Sequence, residues 1–357
     1  MHFAELVRQM RSLGVARADE PHRPARDSIR AVQHSVAAGL CDGELLVDCI
    51  GLELASIATR PARGDLEPFF VDPIMGVRFA FAYWGPGKAA GAHEHNDWTV
   101  TAVCHNRLDV ETYDWEAARF KRVLEPRKLH HAACGQAGHI YDPCIHNPRN
   151  PTARWSMSFH IISPHDGPIL EKQVGPIQGL MSEPRDEPRP GEPIFALVRC
   201  VRQQRTYRVL AEILSRCRGA RALALLDDIY GRGNLETRRT AALAISVIDG
   251  AAGADRMRDV AVRELCLDSD VVRGSAAIEL AVRRRGSQAE LIVERGERPI
   301  VLLRLDAWAE DALQFAASSP GFAIRALPGK LGEIDRVSLT RALIDLGLFN
   351  VMPRMVS

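Results

Sequence analysis

Three histidines have the types and spacing of metal ligands. His93 and His95 end the segment Gly-Lys-Ala-Ala-Gly-Ala-His-Glu-His, and His146 follows Cys144 on a separate apolar segment further along the chain. Side chains alternate between the two faces of a β-strand, so His93 and His95 should share a face while Glu94 points the other way. Two imidazoles converging from one strand and a third from another predict a metal centre inside a small antiparallel barrel.

Length and composition restrict the class of protein. At 357 residues the chain should hold more than one domain. A formal net charge of +1 gives no reason to expect nucleic acid or a membrane surface as partner. The first residues interrupt every apolar run with charge, which does not fit a signal peptide or an anchor, so we expect a cytoplasmic protein. The eight cysteines form no Cys-x-x-Cys pair, which argues against a zinc ribbon or a redox motif.

The hydrophobic pattern predicts an α+β multidomain chain. Residues 1–60 show helical spacing and are expected to pack as helices on a barrel formed by 61–170, where short strands alternate with Gly and Asn/Asp turns. Residues 171–194 are rich in proline and charge and read as a linker. Residues 195–357 are rich in Ala, Leu and Arg with helical periodicity, which predicts an all-α domain.

A weak internal repeat lies in this last part. Leu235–Leu243 aligns with 270–278, each copy having an arginine, a small hydroxyl residue and paired alanines before a large apolar residue. The pattern is similar to that of HEAT-type helical repeats, and an irregular helical bundle is the alternative. The arginine run 283–285 is interpreted as the exposed end of a helix.

The histidine motifs resemble those of the cupin superfamily, whose fold is a double-stranded β-helix. Gly87 followed by His93-x-His95 matches the first half of the cupin signature, and His146-x-x-x-Asn150 matches the end of the second half. Most cupins of the general type add a glutamate after the paired histidines, but here that region reads Asn-Asp-Trp-Thr-Val. A site of three neutral imidazoles would keep the full charge of a divalent metal and favour anionic ligands such as thiolates.

Further motifs resemble the cysteine dioxygenase family of thiol dioxygenases. The shared features are Trp84-Gly85, His93-x-His95, His146, Ser158-x-His160 and Ser163-Pro164. This resemblance implies ferrous iron held by the three histidines. It also implies a relay of Ser158 and His160 that orients groups near the metal.

The chain departs from that family where the substrate would bind. Ile162 stands at the position of the family's tyrosine, and Glu67 falls near the position of its carboxylate-binding arginine. Free cysteine as substrate is therefore not implied. Candidate cavity residues are Tyr83, Trp98, Trp155 and Ile162. If the strand continues, Asp97 lies on the same face as His93 and His95 and is a candidate for a fourth contact with the metal. Alternatively, Asp97 lies in the turn beyond the strand.

Three functions follow from these motifs. The first is an iron(II) dioxygenase that oxidises a cysteine-like or other thiol, including a cysteine-containing peptide or carrier-bound substrate, with O2 to a sulfinate. Its helical domain would cover the cavity, form a homodimer or hold the substrate. The second is a cupin iron oxygenase acting on another metabolite, for example by cleaving a carbon bond of a thiol substrate. The third is a non-catalytic cupin used for metal or ligand sensing, whose helical repeat is a protein-binding surface.

Overall fold

The chain is a mixed α/β protein, and its computed structural model divides into two compact units. The first comprises Met1–Asp186 and Val209–Leu225, and the second comprises Glu187–Arg208 and Leu226–Ser357. The structure describes residues 1–19, 23–59, 66–95, 97–118, 121–142, 144–167, 193–262, 265–274, 278–294 and 299–352. Within these ranges, no helix combines the length and apolarity that crossing a membrane requires. The predicted linker 171–194 lies almost entirely outside the described residues.

Helices form the start of the first unit. They are α1 (Phe3–Ser12), α2 (Arg26–Asp42) and α3 (Glu44–Thr59). The spacing of Phe3, Leu6 and Met10 places all three on one face of α1, and all three are buried. Helix α2 ends at Gly43, whose φ of +82° is a left-handed conformation that glycine adopts without strain.

The strands that follow build two antiparallel sheets. Their bounds are β1 (Phe70–Val71), β2 (Arg78–Trp84), β3 (His93–Glu94), β4 (Thr99–His105), β5 (Arg107–Ala118), β6 (Lys121–Ala133), β7 (Ala137–Ile140), β8 (Ile145–Arg149) and β9 (Ser156–Ile162). The strand orders are β1-β2-β9-β4-β7 in one sheet and β3-β8-β5-β6 in the other. The predicted β-rich character of this region is therefore observed.

Side chains of the first sheet alternate between two faces that pack against different parts of the unit. Phe79 and Phe159 project from one face, and the Phe79 ring meets Phe3 of α1 with ring centroids 5.0 Å apart. That face therefore packs against the helices. Trp84 projects from the opposite face and clusters with Leu108 of β5, in the second sheet. The face that carries Trp84 is thus the interior between the two sheets.

The second unit combines helices and strands. Its elements are α4 (Pro193–Leu214), α5 (Ala220–Arg232), α6 (Leu235–Ile248), α7 (Gly250–Val262), β10 (Asp270–Arg273), β11 (Leu280–Arg285), β12 (Gln288–Val293), β13 (Ile300–Asp306), α8 (Glu310–Ser318), β14 (Gly321–Ala323), α9 (Glu333–Asp345) and β15 (Phe349–Val351). The end of α4 and the first part of α5, up to Leu225, belong to the first unit. The strands form the sheets β14-β10-β15 and β11-β12-β13.

The prediction of an all-α domain over 195–357 is wrong. The first copy of the proposed repeat lies in α6, whereas the start of the second copy is strand β10, so the two copies do not share a structure and the structure does not support HEAT-like stacking. Strands β11 and β12 form a hairpin in which Arg285 pairs with Gln288 across a turn containing Gly286, whose φ is +62°. A two-residue turn with glycine at positive φ favours a hairpin over a continuous helix.

The arginine run also lies on a strand rather than at a helix end. Residues 283–285 belong to β11, and the Arg283 guanidinium donates to the carboxylate of Glu290 on β12. Arg304 on β13 donates to the other oxygen of the same carboxylate over 2.8 Å. Glu290 is itself buried, so the two arginines neutralise a charge in the middle of the sheet.

Candidate metal centre

Antiparallel pairing of β3 with β8 brings the three predicted histidines together. His93 is the direct register partner of His146, and His95 follows immediately after β3. The ring centroids of His93 and His146 lie 4.3 Å apart, and that of His95 lies 5.2 Å and 5.1 Å from them. One nitrogen from each ring lies within 4.8 Å of the others, which is the convergence that a shared metal ion requires.

Each of the three rings is hydrogen-bonded through Nδ1 to an oxygen of the protein. The acceptors are the Gly91 carbonyl for His93 at 2.9 Å, the Asp166 carboxylate for His95 at 2.8 Å and the Cys144 carbonyl for His146 at 3.2 Å. These oxygens accept, so each neutral imidazole carries its proton on Nδ1 and its lone pair on Nε2. All three Nε2 atoms are therefore in the form that binds a metal.

Burial favours the same neutral form. His93 and His146 are both buried. Burial, and then the proximity of His93 and His95, hold the pKa of His146 well below its usual range. A ring that resists protonation at neutral pH keeps its lone pair available for a metal ion.

Asp166 is the residue of this site that sequence reasoning missed. Its carboxylate accepts from His95, and Asp166 itself is buried. Arg78 fixes the same segment by donating to the backbone carbonyls of Ser163 and Asp166. A histidine ligand whose second nitrogen is held by a carboxylate is a common arrangement in metal sites. The available signal was an acidic residue shortly after the Ser163-Pro164 corner.

Ser158 and His160 lie on the interior face of β9 in a hydrogen-bonded chain. Trp84 Nε1 donates to Ser158 Oγ over 2.8 Å, and Ser158 Oγ lies 2.8 Å from His160 Nε2. Thr101 Oγ1 lies 3.2 Å from Nδ1 of the same ring. Burial and the nearby His95 and His93 lower the pKa of His160 to about 3. The His160 ring is therefore neutral, with a hydroxyl group at each nitrogen.

The predicted cavity residues occupy different environments. Tyr83 lies on the face of β2 that packs against the helices, and its hydroxyl donates to Glu53 of α3. Its assignment to the cavity is therefore wrong. Trp155 packs against Gly85. A Cβ added at Gly85 would lie 3.4 Å from the Trp155 indole. Trp98 is buried, and its Nε1 has no hydrogen-bond partner among the described residues. Ile162 pairs with Arg78 and Thr99, the partners expected on the interior face.

Asp97 does not belong to the group of candidate ligands. Its carboxylate accepts from the Trp98 backbone N–H over 2.8 Å and from the Ser163 hydroxyl, which places it in the turn beyond the strand. Glu94 is the register partner of Ile145 and lies on the opposite face from His93. The group found among the described residues therefore consists of three imidazoles. Such a donor set fits a divalent transition metal such as iron, zinc, copper or nickel.

Comparisons with known proteins give partial structural matches only. No family model matches the chain, and no curated protein matches it. One solved structure that matches is oxalate decarboxylase from Bacillus subtilis, which is 14% identical, with the match covering 24% of this chain and 21% of that chain at a TM-score of 0.20. Another is oxalate oxidase in complex with glycolate, which is 18% identical, with the match covering 26% of this chain and 44% of that chain at a TM-score of 0.21. A cupin superfamily protein from Desulfitobacterium hafniense also matches. It is 10% identical, and the match covers 24% of this chain and 66% of that chain at a TM-score of 0.19.

The chain therefore spans less than two thirds of the length of each of these proteins. The oxalate decarboxylase is described with Mn(II) centres. At these scores the likenesses carry no conclusion about the activity of this chain.

Proposed function

We propose that this protein is a cupin-type, iron(II)-dependent dioxygenase that oxidises a thiol with O2 to a sulfinate. The observation that carries the proposal is the convergence of His93, His95 and His146, each with Nδ1 hydrogen-bonded and Nε2 left to bind a metal. The resemblance of the surrounding motifs to thiol dioxygenases supports the choice of iron and of a sulfur substrate.

The charge of the site supports an anionic substrate. Three neutral imidazoles leave the full charge of a divalent ion, and the carboxylate of Asp166 lies behind His95, at Nδ1, rather than among the candidate ligand atoms. A thiolate is therefore attracted to the centre. When bound there, iron supplies the redox chemistry that allows O2 to react with a thiolate.

The chain's own residues orient the groups around that centre. Ser158 and Thr101 each place a hydroxyl group at one nitrogen of the His160 ring, so His160 can exchange a proton through those hydroxyl groups. Ile162 replaces the hydroxyl of the family's tyrosine with an apolar surface on the same interior face. The proton path proposed for this protein therefore runs through the hydroxyl groups of Ser158 on β9 and Thr101 on β4 rather than through a tyrosine.

The test is oxygen consumption by protein loaded anaerobically with Fe(II) and then given a panel of small thiols and cysteine-ending peptides. Uptake that depends on one thiol, with a product heavier by two oxygen atoms in mass spectrometry, would support the proposal. Uptake with loss of a carbon fragment would instead indicate the carbon-bond-cleaving oxygenase. Full iron occupancy without uptake for any thiol or related metabolite would overturn both enzymatic functions.

A further inference from the structure

A row of in-register side chains crosses the second sheet of the first unit on the face that carries the candidate ligands. His93 pairs with His146, His146 pairs with Thr112 of β5, and Thr112 pairs with Lys128 of β6. Direct partners on neighbouring antiparallel strands project from the same face of a sheet. Since neighbouring strands lie about 4.8 Å apart, Lys128 is about 10 Å from His146 along this row.

A cavity of about 500 Å³ lies beside the row. Thr112 and Lys128 form part of its wall on the second sheet, and Ile140 of β7 contributes from the first sheet. Ile140 pairs with Thr99 on the interior face of that sheet, so the cavity extends between the two sheets. Glu94, which lies between two candidate ligands along the chain, also lines the cavity. The cavity therefore adjoins the candidate metal centre.

Lys128 brings an unbalanced positive charge to this cavity. Arg26 forms an ion pair with Asp142, and Arg127 lies 3.5 Å from Asp114, so these four lining charges balance one another. Among the described residues, in contrast, no carboxylate or hydrogen-bond acceptor holds the Lys128 ammonium. The lysine side chain is also exposed, so a ligand that enters the cavity can reach it.

The position of Thr112 leaves room for the lysine to approach the metal centre. Thr112 has a short side chain, and its hydroxyl donates to the backbone carbonyl of Lys128 over 3.3 Å. The ammonium of a lysine is a point charge on a flexible four-carbon stem, so it can lie over Thr112 on the interior face. Glu94 does not cancel this charge, because it projects from the opposite face of β3.

We infer that Lys128 binds a carboxylate at the far end of an extended thiol whose sulfur binds at the candidate metal centre. The inference rests on the proposed function, which supplies the thiolate, and it adds the chemical class of the substrate. The carboxylate must lie about 5–10 Å from the sulfur, one to two strand spacings away. Two carbon atoms separate these groups in cysteine, whereas a spacer of about five carbons, with bonds of about 1.5 Å, spans this distance.

The experiment measures the binding of thiols to the Fe(II)-loaded protein by calorimetry without oxygen, so that no turnover is needed. Each mercapto acid is compared with the alcohol of the same length: mercaptoacetate with 2-mercaptoethanol, and 6-mercaptohexanoate with 6-mercaptohexanol. The Kd of the alcohol divided by the Kd of the acid is the carboxylate preference. We expect a preference of about fivefold for the six-carbon pair, which should fall at high salt because Lys128 is exposed.

Two variants test whether Lys128 causes that preference. Lys128→Gln removes the charge and should abolish the six-carbon preference while leaving the two-carbon preference unchanged. Lys330→Gln is the matched control at an exposed lysine of the second unit, and it should keep the full six-carbon preference. A Lys128→Gln protein that keeps the preference would overturn the inference. A native protein that binds the six-carbon acid and alcohol equally would overturn it as well.

Oxygen uptake with the same thiols separates this inference from the proposed function. Binding with a preference that depends on Lys128, but without uptake, would overturn the dioxygenase and leave the carboxylate subsite in place. Uptake without any six-carbon preference would overturn the subsite and leave the dioxygenase. A loaded protein that binds none of the thiols would overturn both.

Discussion

His93 and His146 face each other as direct partners in the antiparallel register of β3 and β8. Because strand side chains alternate, a shift of that register by one residue would bring Glu94 or Ile145 to the interior and remove an imidazole from the group. The candidate metal centre therefore depends on strand register as much as on the identity of its three histidines. It also requires no long loop to carry a ligand, because His95 follows β3 directly.

Replacement of His146 by Ala should remove one of three converging nitrogens and abolish stoichiometric binding of iron. We expect the bound iron, measured after anaerobic loading and gel filtration, to fall at least tenfold relative to the native chain. His130→Ala is the matched control because His130 is exposed on β6, and it should keep full iron binding. Full occupancy in the His146→Ala protein would remove this residue from the ligand set.

Substitution of Asp166 by Asn should weaken metal binding without removing a ligand. The carboxylate orients His95 and raises the basicity of the ring, and loss of such a partner lowers metal affinity by about 10–100-fold. Competition with a chelator of known affinity measures the change. Glu94→Gln is the matched control, because Glu94 lies between the candidate ligands His93 and His95 but points to the other face. Equal affinities for the two variants would contradict a positioning role for Asp166.

Sequence periodicity was sufficient to pair His93 with His95, because the alternation of side chains along a strand is a local rule. The period of two placed His93 and His95 on one face, and the later motif supplied His146 on a neighbouring strand. The hydrogen bond from His95 to Asp166 could not be predicted in this way. That hydrogen bond depends on the path of the segment after β9, which returns to His95 at the end of β3 and is held there by Arg78.

The second unit shows where composition misleads. Ala- and Arg-rich stretches favour helix by intrinsic propensity, yet Leu291 and Val293 alternate into the core of a three-stranded sheet. The glycine turn between β11 and β12 was the local signal for a hairpin. The assignment of Tyr83 to the cavity failed for a related reason, because only the position of α3 shows which face of β2 is covered by helices.

The buried carboxylate of Glu290 should make the stability of the second unit depend on pH. Hydrogen bonds from Arg283 lower the pKa of Glu290; burial opposes this, and Arg304 adds to the lowering. A lowered folded pKa means that the stabilisation is complete above the unfolded value of about 4.3 and is lost as the pH falls through the folded pKa. Hydrogen exchange of β11–β13 should therefore show Glu290→Gln less protected than the native chain at neutral pH.

That difference in protection should begin to shrink as the pH falls below about 4.3, where the unfolded carboxyl becomes protonated, and should disappear below the lowered folded pKa, where the native carboxyl is protonated too. Glu310→Gln is the control, since its ion pair with Arg284 spans 3.5 Å at the surface. We expect the control to match the native chain at every pH. A Glu290→Gln deficit that stays constant down to strongly acidic pH would show that the carboxylate charge is not what stabilises the sheet.

Replacement of Ser158 by Ala tests whether the hydrogen bonds that join Trp84, Ser158 and His160 stabilise the fold or whether Ser158 is part of the metal site. The variant leaves Trp84 Nε1–H and His160 Nε2 without their shared hydroxyl partner, which should lower the free energy of unfolding by about 1–3 kcal/mol. Urea denaturation measures this loss, and Ser246→Ala, at an exposed helical hydroxyl, should change stability by less than about 0.5 kcal/mol. Because the Ser158 hydroxyl bonds to Trp84 and His160 and does not belong to the group of three candidate ligands, iron stoichiometry should be unchanged. A loss of iron with unchanged stability would instead make Ser158 part of the metal site.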